Sequence, residues 1–287
     1  MASILCIETG TDVCSVALAL GGRTATLRES AAVRDHARML APFIEETLAE
    51  AGVVPAALDA VAVSMGPGSY TGLRIGVSLA KGMCYALGIP LIGVGSLLSL
   101  ATVASERRQR DSLNLSTNHM SVRGPEQNAD SDSHDGVPEG FRDTLLCPMI
   151  DARRMEVYAG VFDMALNPLS PVAAHIITAD SFREFIPGSP DSSGISGGPV
   201  SPHPGDASGG ESGAASGGHF TIFGDGAAKC VGILPPQVEY IDVQASAQGL
   251  IAAAEAACAA GRFEDVAYFE PFYLKDFVVT TTRKRFW

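Results

Sequence analysis

Short apolar runs alternate with turn chemistry through the first hundred residues. Ser3 to Glu8 and Cys14 to Leu20 each read as a buried strand, with Thr9-Gly10-Thr11-Asp12 as the turn between them. Gly21-Gly22 predicts a two-residue hairpin turn into a third strand near Arg23 to Glu29. Over residues 34–51 the period lengthens to that of an amphipathic helix, with Ala37, Leu40, Ala41, Ile44, Leu48 and Ala51 on one stripe. Pro42 inside the pattern predicts a kink or a helix start, and Gly52 ends it. Asp59 to Met65 reads as a strand and Gly66-Pro67-Gly68-Ser69-Tyr70-Thr71-Gly72 as a glycine-rich loop. A helix follows over residues 73–87, stopping at Gly88-Ile89-Pro90, and Pro90 to Val94 is a further strand. A meander followed by α-β-α-β predicts a mixed α/β lobe over residues 1–104.

The pattern then breaks. Residues 105–144 are polar and mixed in charge without a period, which predicts a disordered insertion. Order resumes with strands at Leu145 to Asp151 and Glu156 to Phe162, opening a C-terminal α/β lobe over residues 145–287. This lobe is interrupted at residues 187–218, of which 10 are Gly, 8 Ser and 5 Pro. Such a segment buries too little apolar surface to offset the entropy of ordering it, so it reads as a flexible insertion in a surface loop. Phe220 to Ala227 restores the pattern, and Ser246 to Gly261 reads as an Ala-rich helix. Phe269 to Val279 and a basic tail, Arg283-Lys284-Arg285, close the chain.

The 287 residues are 46% hydrophobic, enough for two modest domains with real cores. The net charge of −12 disfavours general nucleic-acid binding, though not a local basic patch. Cys6, Cys14, Cys84, Cys147, Cys230 and Cys258 are widely spaced with no C-x-x-C, consistent with reduced core thiols in a cytoplasmic protein. The N-terminus lacks a basic leader region, and no apolar run reaches the length of a membrane span.

The glycine-rich loop sits where phosphate is often held, between a strand and a helix N-terminus. It nevertheless matches neither phosphate fingerprint: no Lys-Ser/Thr pair ends it, and its third glycine comes one residue late for a dinucleotide turn. Gly66, Gly68 and Gly72 equally suit a tight turn with close helix packing. Arg74 places a cation in a first helical turn, which the helix dipole disfavours and which suggests a specific partner. Of the histidines, none pairs with another at i, i+4 and no H-E-x-x-H occurs, which points away from a dedicated metal site. A serine-hydrolase elbow is also missing. Three carboxylates end predicted strands: Glu8, Asp151 and Asp225. Strand ends of α/β sheets are where ligands bind, but acidic turn residues also bond their own backbone.

Five segments in chain order carry a resemblance. They are Ile4 to Leu18; Gly66-Pro67-Gly68-Ser69-Tyr70-Thr71-Gly72-Leu73-Arg74-Ile75-Gly76; Asp151-Ala152-Arg153-Arg154-Met155-Glu156-Val157-Tyr158; Gly224-Asp225-Gly226-Ala227; and Pro271-Phe272-Tyr273-Leu274. Together they strongly resemble the TsaB family of bacterial tRNA threonylcarbamoyladenosine biosynthesis proteins, except across the two insertions. The resemblance implies an actin/Hsp70-like (ASKHA) fold of two related α/β lobes with mixed sheets. It implies a non-catalytic scaffold for the complex that forms threonylcarbamoyladenosine beside the anticodon of tRNAs reading codons that begin with A. In that family TsaD, a paralogue, performs the transfer and TsaE, an ATPase, docks on the pair. ATP and metal are therefore expected on the partner subunits, with no cofactor on this chain and tRNA engaged only through the complex. The paralogue's H-x-x-x-H metal pair falls here on Ser96 and Leu100, neither an adequate ligand.

On this resemblance Glu8, Thr9, Gly66, Gly68, Ser69, Asp151, Gly224, Asp225 and Gly226 are vestigial nucleotide loops. The partner would pack on the helices of residues 34–51 and 73–87. The expected interface is Met39, Phe43 and Thr47 on the first, with Leu73, Arg74, Val77, Lys81 and Tyr85 on the second. The same surface would serve a homodimer when the partner is missing. Two other functions stay open: a self-sufficient actin-like nucleotide-binding enzyme acting through Glu8, Gly68 and Asp225, and a metallopeptidase, an older label of the wider family.

Overall fold

A computed structural model describes residues 2–30, 35–120, 144–189 and 218–275, with the side chains of residues 115–120 set aside. Its first sheet contains β1 (Ser3–Glu8), β2 (Ser15–Leu20), β3 (Arg23–Glu29), β4 (Ala60–Gly66) and β5 (Leu91–Gly95), in the order β3-β2-β1-β4-β5. β1, β2 and β3 form an antiparallel meander, while β4 and β5 extend the sheet in parallel. Gly21 and Gly22 both take positive φ, as the predicted two-residue turn requires. The second sheet has β6 (Leu145–Asp151), β7 (Glu156–Ala159), β8 (Ala173–Ile176), β9 (Phe220–Phe223) and β10 (Val238–Tyr240), in the order β10-β9-β6-β7-β8. Again the first three are antiparallel and the last two parallel. Read from opposite ends, the two orders are the same, so the lobes are related, as an actin/Hsp70-like fold requires.

The helices differ between lobes. α1 (His36–Glu50) and α2 (Tyr70–Leu87) cover one face of the first sheet. Where α2 follows β4, β9 is followed by only a short 3-10 turn at Ala228–Cys230. The helix after each lobe's last strand crosses to the other lobe. α3 (Ser96–Met120) packs Leu97, Leu100, Ala101 and Ala104 with Leu146, Ile150, Phe162 and Phe223 of the second lobe. α4 (Ile251–Ala259), with the 3-10 turn Ala247–Leu250 before it, packs with Ile4, Cys6, Ala17 and Ile92 of the first. Each fully buried Leu or Ile contributes about 1.5–3 kcal/mol, so neither lobe keeps its core without the other's helix.

α3 corrects the expectation of an insertion starting at residue 105, because helix runs on to Met120. The buried first turns nucleate it, and the good helix formers Glu106, Arg107, Arg108 and Gln109 propagate it. Arg108 then pairs with Glu239 and donates to Thr221 Oγ1 at 2.8 Å, while Arg107 donates to the Asp242 carbonyl at 2.6 Å. Residues 121–143, most of the glycine- and serine-rich stretch (190–217), and the basic tail lie outside the described residues.

Candidate functional site

The ends of β1, β4, β6 and β9 lie near one another between the lobes, close enough that the Asp225 carboxylate acts on Glu8 and Gly224 packs against Leu100 of α3, and the expected nucleotide-loop residues stand at these ends or just after them. Glu8 closes β1 fully buried. Its Oε1 accepts from the Gly10 amide at 2.6 Å, and Oε2 has no partner. Burial pushes the Glu8 carboxyl up to about 7, aided weakly by the Asp225 carboxylate and opposed by the Gly10 amide and the Ser64 hydroxyl. The Thr9 amide donates to Ser64 Oγ at 3.3 Å, so both first amides of the β1–β2 turn point inward and are used.

The glycine-rich loop leans on that turn. The Ser69 amide donates to the Gly10 carbonyl at 2.7 Å, and the Gly66 amide to Ser96 Oγ at 3.1 Å. A Cβ on Gly68 would meet the Gly10 carbonyl oxygen at 2.2 Å, and one on Gly72 the Thr9 carbonyl oxygen at 2.1 Å. These glycines are required by backbone packed on backbone, within the chain itself. α2 starts at Tyr70, three residues earlier than the spacing predicts. Ser69 is its N-cap, with Oγ accepting from the Gly72 amide at 3.3 Å, so Tyr70-Thr71-Gly72 belongs to the helix rather than the loop.

In the second lobe Asp225 Oδ1 accepts from the Asp151 amide at 2.9 Å. Asp151 Oδ1 accepts from the Arg153 amide at 3.1 Å and pairs with Lys229, whose Nζ also donates to the Glu156 carbonyl at 2.7 Å. The Gly226 amide donates to the Met149 carbonyl at 3.0 Å and the Ala152 amide to the Glu156 carbonyl at 3.1 Å. Burial lifts the Asp225 carboxyl to about 6, with Asp151 and Asp12 adding to the effect. Lys229, Ser64 and Ser96 were missed as site residues. Only the chain's return to the cleft brings them there, although Lys229 lies close after Asp225 in sequence.

Ser96 and Leu100 sit at the start of α3, both buried. Leu100 Cδ2 lies 2.7 Å from where a Gly224 Cβ would stand, so both positions support the glycine turns of this cleft. Among the described residues no group of three His, Cys, Asp or Glu side chains is arranged to hold a metal ion. No described helix is long and apolar enough to cross a membrane.

The predicted interface stripes need correction. Phe43 and Thr47 of α1 and Leu73 and Val77 of α2 are buried in the first lobe's own core, and Met39 is partly buried against it. Ala37 and Ala41, predicted inward, face solvent. The buried face straddles the two stripes: Leu40, Ile44 and Leu48 of the expected core stripe are buried, and beside them the bulky Phe43 goes inward while the small Ala37 and Ala41 do not, because it buries more area. Lys81 is held by its own chain, donating to the Ala267 and Phe269 carbonyls at 3.2 and 2.8 Å. Arg74 and Tyr85 do face outward, on one stripe of α2 with Thr71, Ser78 and Gly82. Tyr85 is 86% exposed. The Arg74 guanidinium lies 5.4 Å over the Tyr70 ring and donates to its hydroxyl at 2.7 Å, and Tyr70 packs at 4.8 Å on Tyr273. The aromatic partners answer the question of what a cation does in that first turn.

The β6–β7 turn is the strained part of the cleft. Arg153 and Arg154 take φ of 69° and 53°, where asparagine and glycine are usual. Each costs about 1–2 kcal/mol in the left-handed region. Both are exposed, and neither makes an ion pair with a described residue.

Residues 29–122 match the family described as TsaD: tRNA N6-adenosine threonylcarbamoyltransferase. The chain is 35% identical over 111 residues to a tRNA threonylcarbamoyladenosine biosynthesis protein TsaB of Haemophilus influenzae, covering 39% of this chain and 47% of that protein. It is 37% identical over 98 residues to the Escherichia coli protein of that name, covering 34% and 42%. It thus spans less than half the length of these curated relatives. Among solved structures, YeaZ from Pseudomonas aeruginosa superposes with a TM-score of 0.64 at 24% identity, covering 96% of this chain and 100% of that one. A second Pseudomonas aeruginosa structure, described as similar to peptidase YeaZ, gives a TM-score of 0.62 at 24% identity over the same shares. The two-lobed fold is shared along nearly the whole chain, and the resemblance to TsaB drawn from the motifs is borne out by these matches.

Proposed function

We propose that this chain is a non-catalytic scaffold subunit in the formation of threonylcarbamoyladenosine on tRNA, pairing with a catalytic TsaD-type paralogue on which a TsaE-type ATPase docks. The observation that carries the reading is that the cleft loops bind one another. The Thr9, Gly10, Gly66, Ser69, Asp151 and Gly226 amides are each used within the chain. The carbonyls of Thr9 and Gly10 stand where a phosphate against Gly68 and Gly72 would need space. Phosphate loops work by leaving amides free for the ligand, and these are committed. The loops then serve to hold α2 in place.

The surface this leaves for a partner is the outward stripe of α2, Thr71, Arg74, Ser78, Gly82 and Tyr85, flanked by the outward alanines of α1. An almost fully exposed tyrosine beside small residues and an arginine suits an interface anchor. In this reading ATP and metal belong to the partner subunits, and the chain alone forms a homodimer through the same face. The names of the relatives support the pathway, and the family match over α1, α2 and α3 supports a paralogue of like fold.

The experiment is light scattering after size exclusion, on the chain with its cognate TsaD-type paralogue. The expected result is a species at the summed mass that Tyr85→Asp abolishes while the circular dichroism spectrum is unchanged. Absence of any complex between two folded proteins would overturn the reading. One observation favours a second reading, a nucleotide-binding enzyme acting through Glu8, Gly68 and Asp225: Glu8 Oε2 is buried without a partner. Saturable ATP binding by the isolated chain, lost in Glu8→Gln, would establish it instead.

A further inference from the structure

We propose that the Arg153-Arg154 turn, on the second lobe, is a direct contact for RNA backbone phosphates. The inference rests on the reading above only in taking tRNA as the RNA concerned. It departs from that reading in giving this chain a tRNA contact of its own.

Three observations meet at the turn. The backbone holds both arginines in the left-handed region, although asparagine and glycine would do so without strain. Strain kept at such a position is a mark of function rather than of stability. The neighbouring carboxylates are already neutralised: Asp151 by Lys229, and Glu156 by Lys275. Among the described residues neither guanidinium group then has an acidic partner, on a chain whose net charge is −12. Finally, the turn is pinned from beneath by the Arg153 amide on Asp151 Oδ1 and the Glu156 amide on the Arg153 carbonyl at 3.2 Å. Two exposed forks on a fixed turn can each take a phosphate bidentately. An acidic subunit of a tRNA-handling complex repels the polyanion on average, so a local pair of exposed arginines affects how closely that RNA approaches it.

The test is the salt dependence of binding. A fluorescently labelled, unmodified tRNA transcript is titrated with the full chain, alone and mixed with the TsaD-type paralogue, at several salt concentrations. The variant is Arg153→Asn with Arg154→Gly, which suits the turn and is expected to melt at or above the wild-type temperature. Loss of two phosphate contacts is expected to flatten the slope of log affinity against log salt by about 1.4–1.8 in the mixture. An unchanged slope, with the complex intact by light scattering, would overturn the inference and leave the scaffold reading standing. If the variant instead loses the paralogue at an unchanged slope, Arg153, Arg154 and the exposed Met155 contact protein, and the inference is again overturned. Failure of the wild-type chain to form the complex counts against the scaffold reading alone, since the chain is also titrated by itself.

Discussion

The two lobes repeat one strand order and diverge in what they do with the turns at the strand ends. In the first lobe the turn after β1 is buried, its amides are used, and Gly68 and Gly72 press against its carbonyls. In the second lobe the turn after β6 is exposed and strained and carries Arg153 and Arg154. Gly66, which ends β4, and Gly224, just after β9, are the matching glycines, with φ of 112° and 101°. The helix that follows differs: a full α2 in one lobe, a single 3-10 turn in the other. The first lobe spends its loops on fixing a long helix whose outer face is free. The second leaves its turn to solvent. Similar sheets can thus separate an internal, packed use of loops from an external one.

The largest expected effect breaks the packed side of this comparison. Gly72→Ala places a methyl 2.1 Å from the Thr9 carbonyl oxygen, where only backbone can give way. A loss of about 3 kcal/mol is expected, read by denaturant melting. Gly226→Ala in the second lobe also meets backbone, Ile150 C at 2.8 Å and Asp151 N at 2.9 Å, and should cost less because the overlap is smaller. Equal losses would mean that the two lobes are packed alike at these turns.

Next comes the buried carboxyl. Burial holds the Glu8 carboxyl at about 7 in the folded chain, above its ordinary 4.5. Between those values the folded state binds the extra proton, so its stabilisation is full below about pH 4.5, declines as pH rises, and is lost above about 7. The swing is about 3 kcal/mol at 1.36 kcal/mol per pH unit, and Glu8→Gln should flatten it in melts from pH 4.5 to 8. A slope that survives the substitution would assign it elsewhere, first to Asp225, which shifts in the same direction.

A smaller gain is expected from relieving the strained turn. Arg153→Asn with Arg154→Gly should stabilise the isolated chain by about 1–2 kcal/mol. Destabilisation would show that the arginines contribute to the second lobe's packing. The smallest effect is Gly82→Ala on the outer stripe of α2, where a Cβ has nothing within 4 Å. It should stabilise the monomer by up to about 1 kcal/mol through helix propensity. If that gain comes with weaker pairing to the paralogue, the partner's backbone approaches closely at Gly82.

Much of this was legible in the sequence. Gly21-Gly22, the strands of the first lobe and the start of the second follow from apolar period and turn residues within short windows. Glu8, Asp151 and Asp225 do stand at the ends of the strands or just after them, with the Asp225 carboxylate close enough to act on Glu8. Other features were hidden, each for a physical reason. Polar composition after residue 105 suggested disorder, but a helix nucleated on a buried first half continues through good helix formers. Ser64, Ser96 and Lys229 show no motif of their own.

Local chemistry therefore determined the elements, the turns and the family likeness, because each is set by residues close together in the chain. Tertiary structure decided the faces and the state of the cleft. Phe43 and Thr47 went inward, and Ala37 and Ala41 outward, because the sheet of the first lobe lies on one side of α1. The loops are closed because amides meet acceptors far away in sequence, Thr9 on Ser64 and Asp151 on Asp225. A sequence pattern reports which positions prefer burial, but only the packed chain fixes which residues of two neighbouring stripes are buried and which donors are left for a ligand.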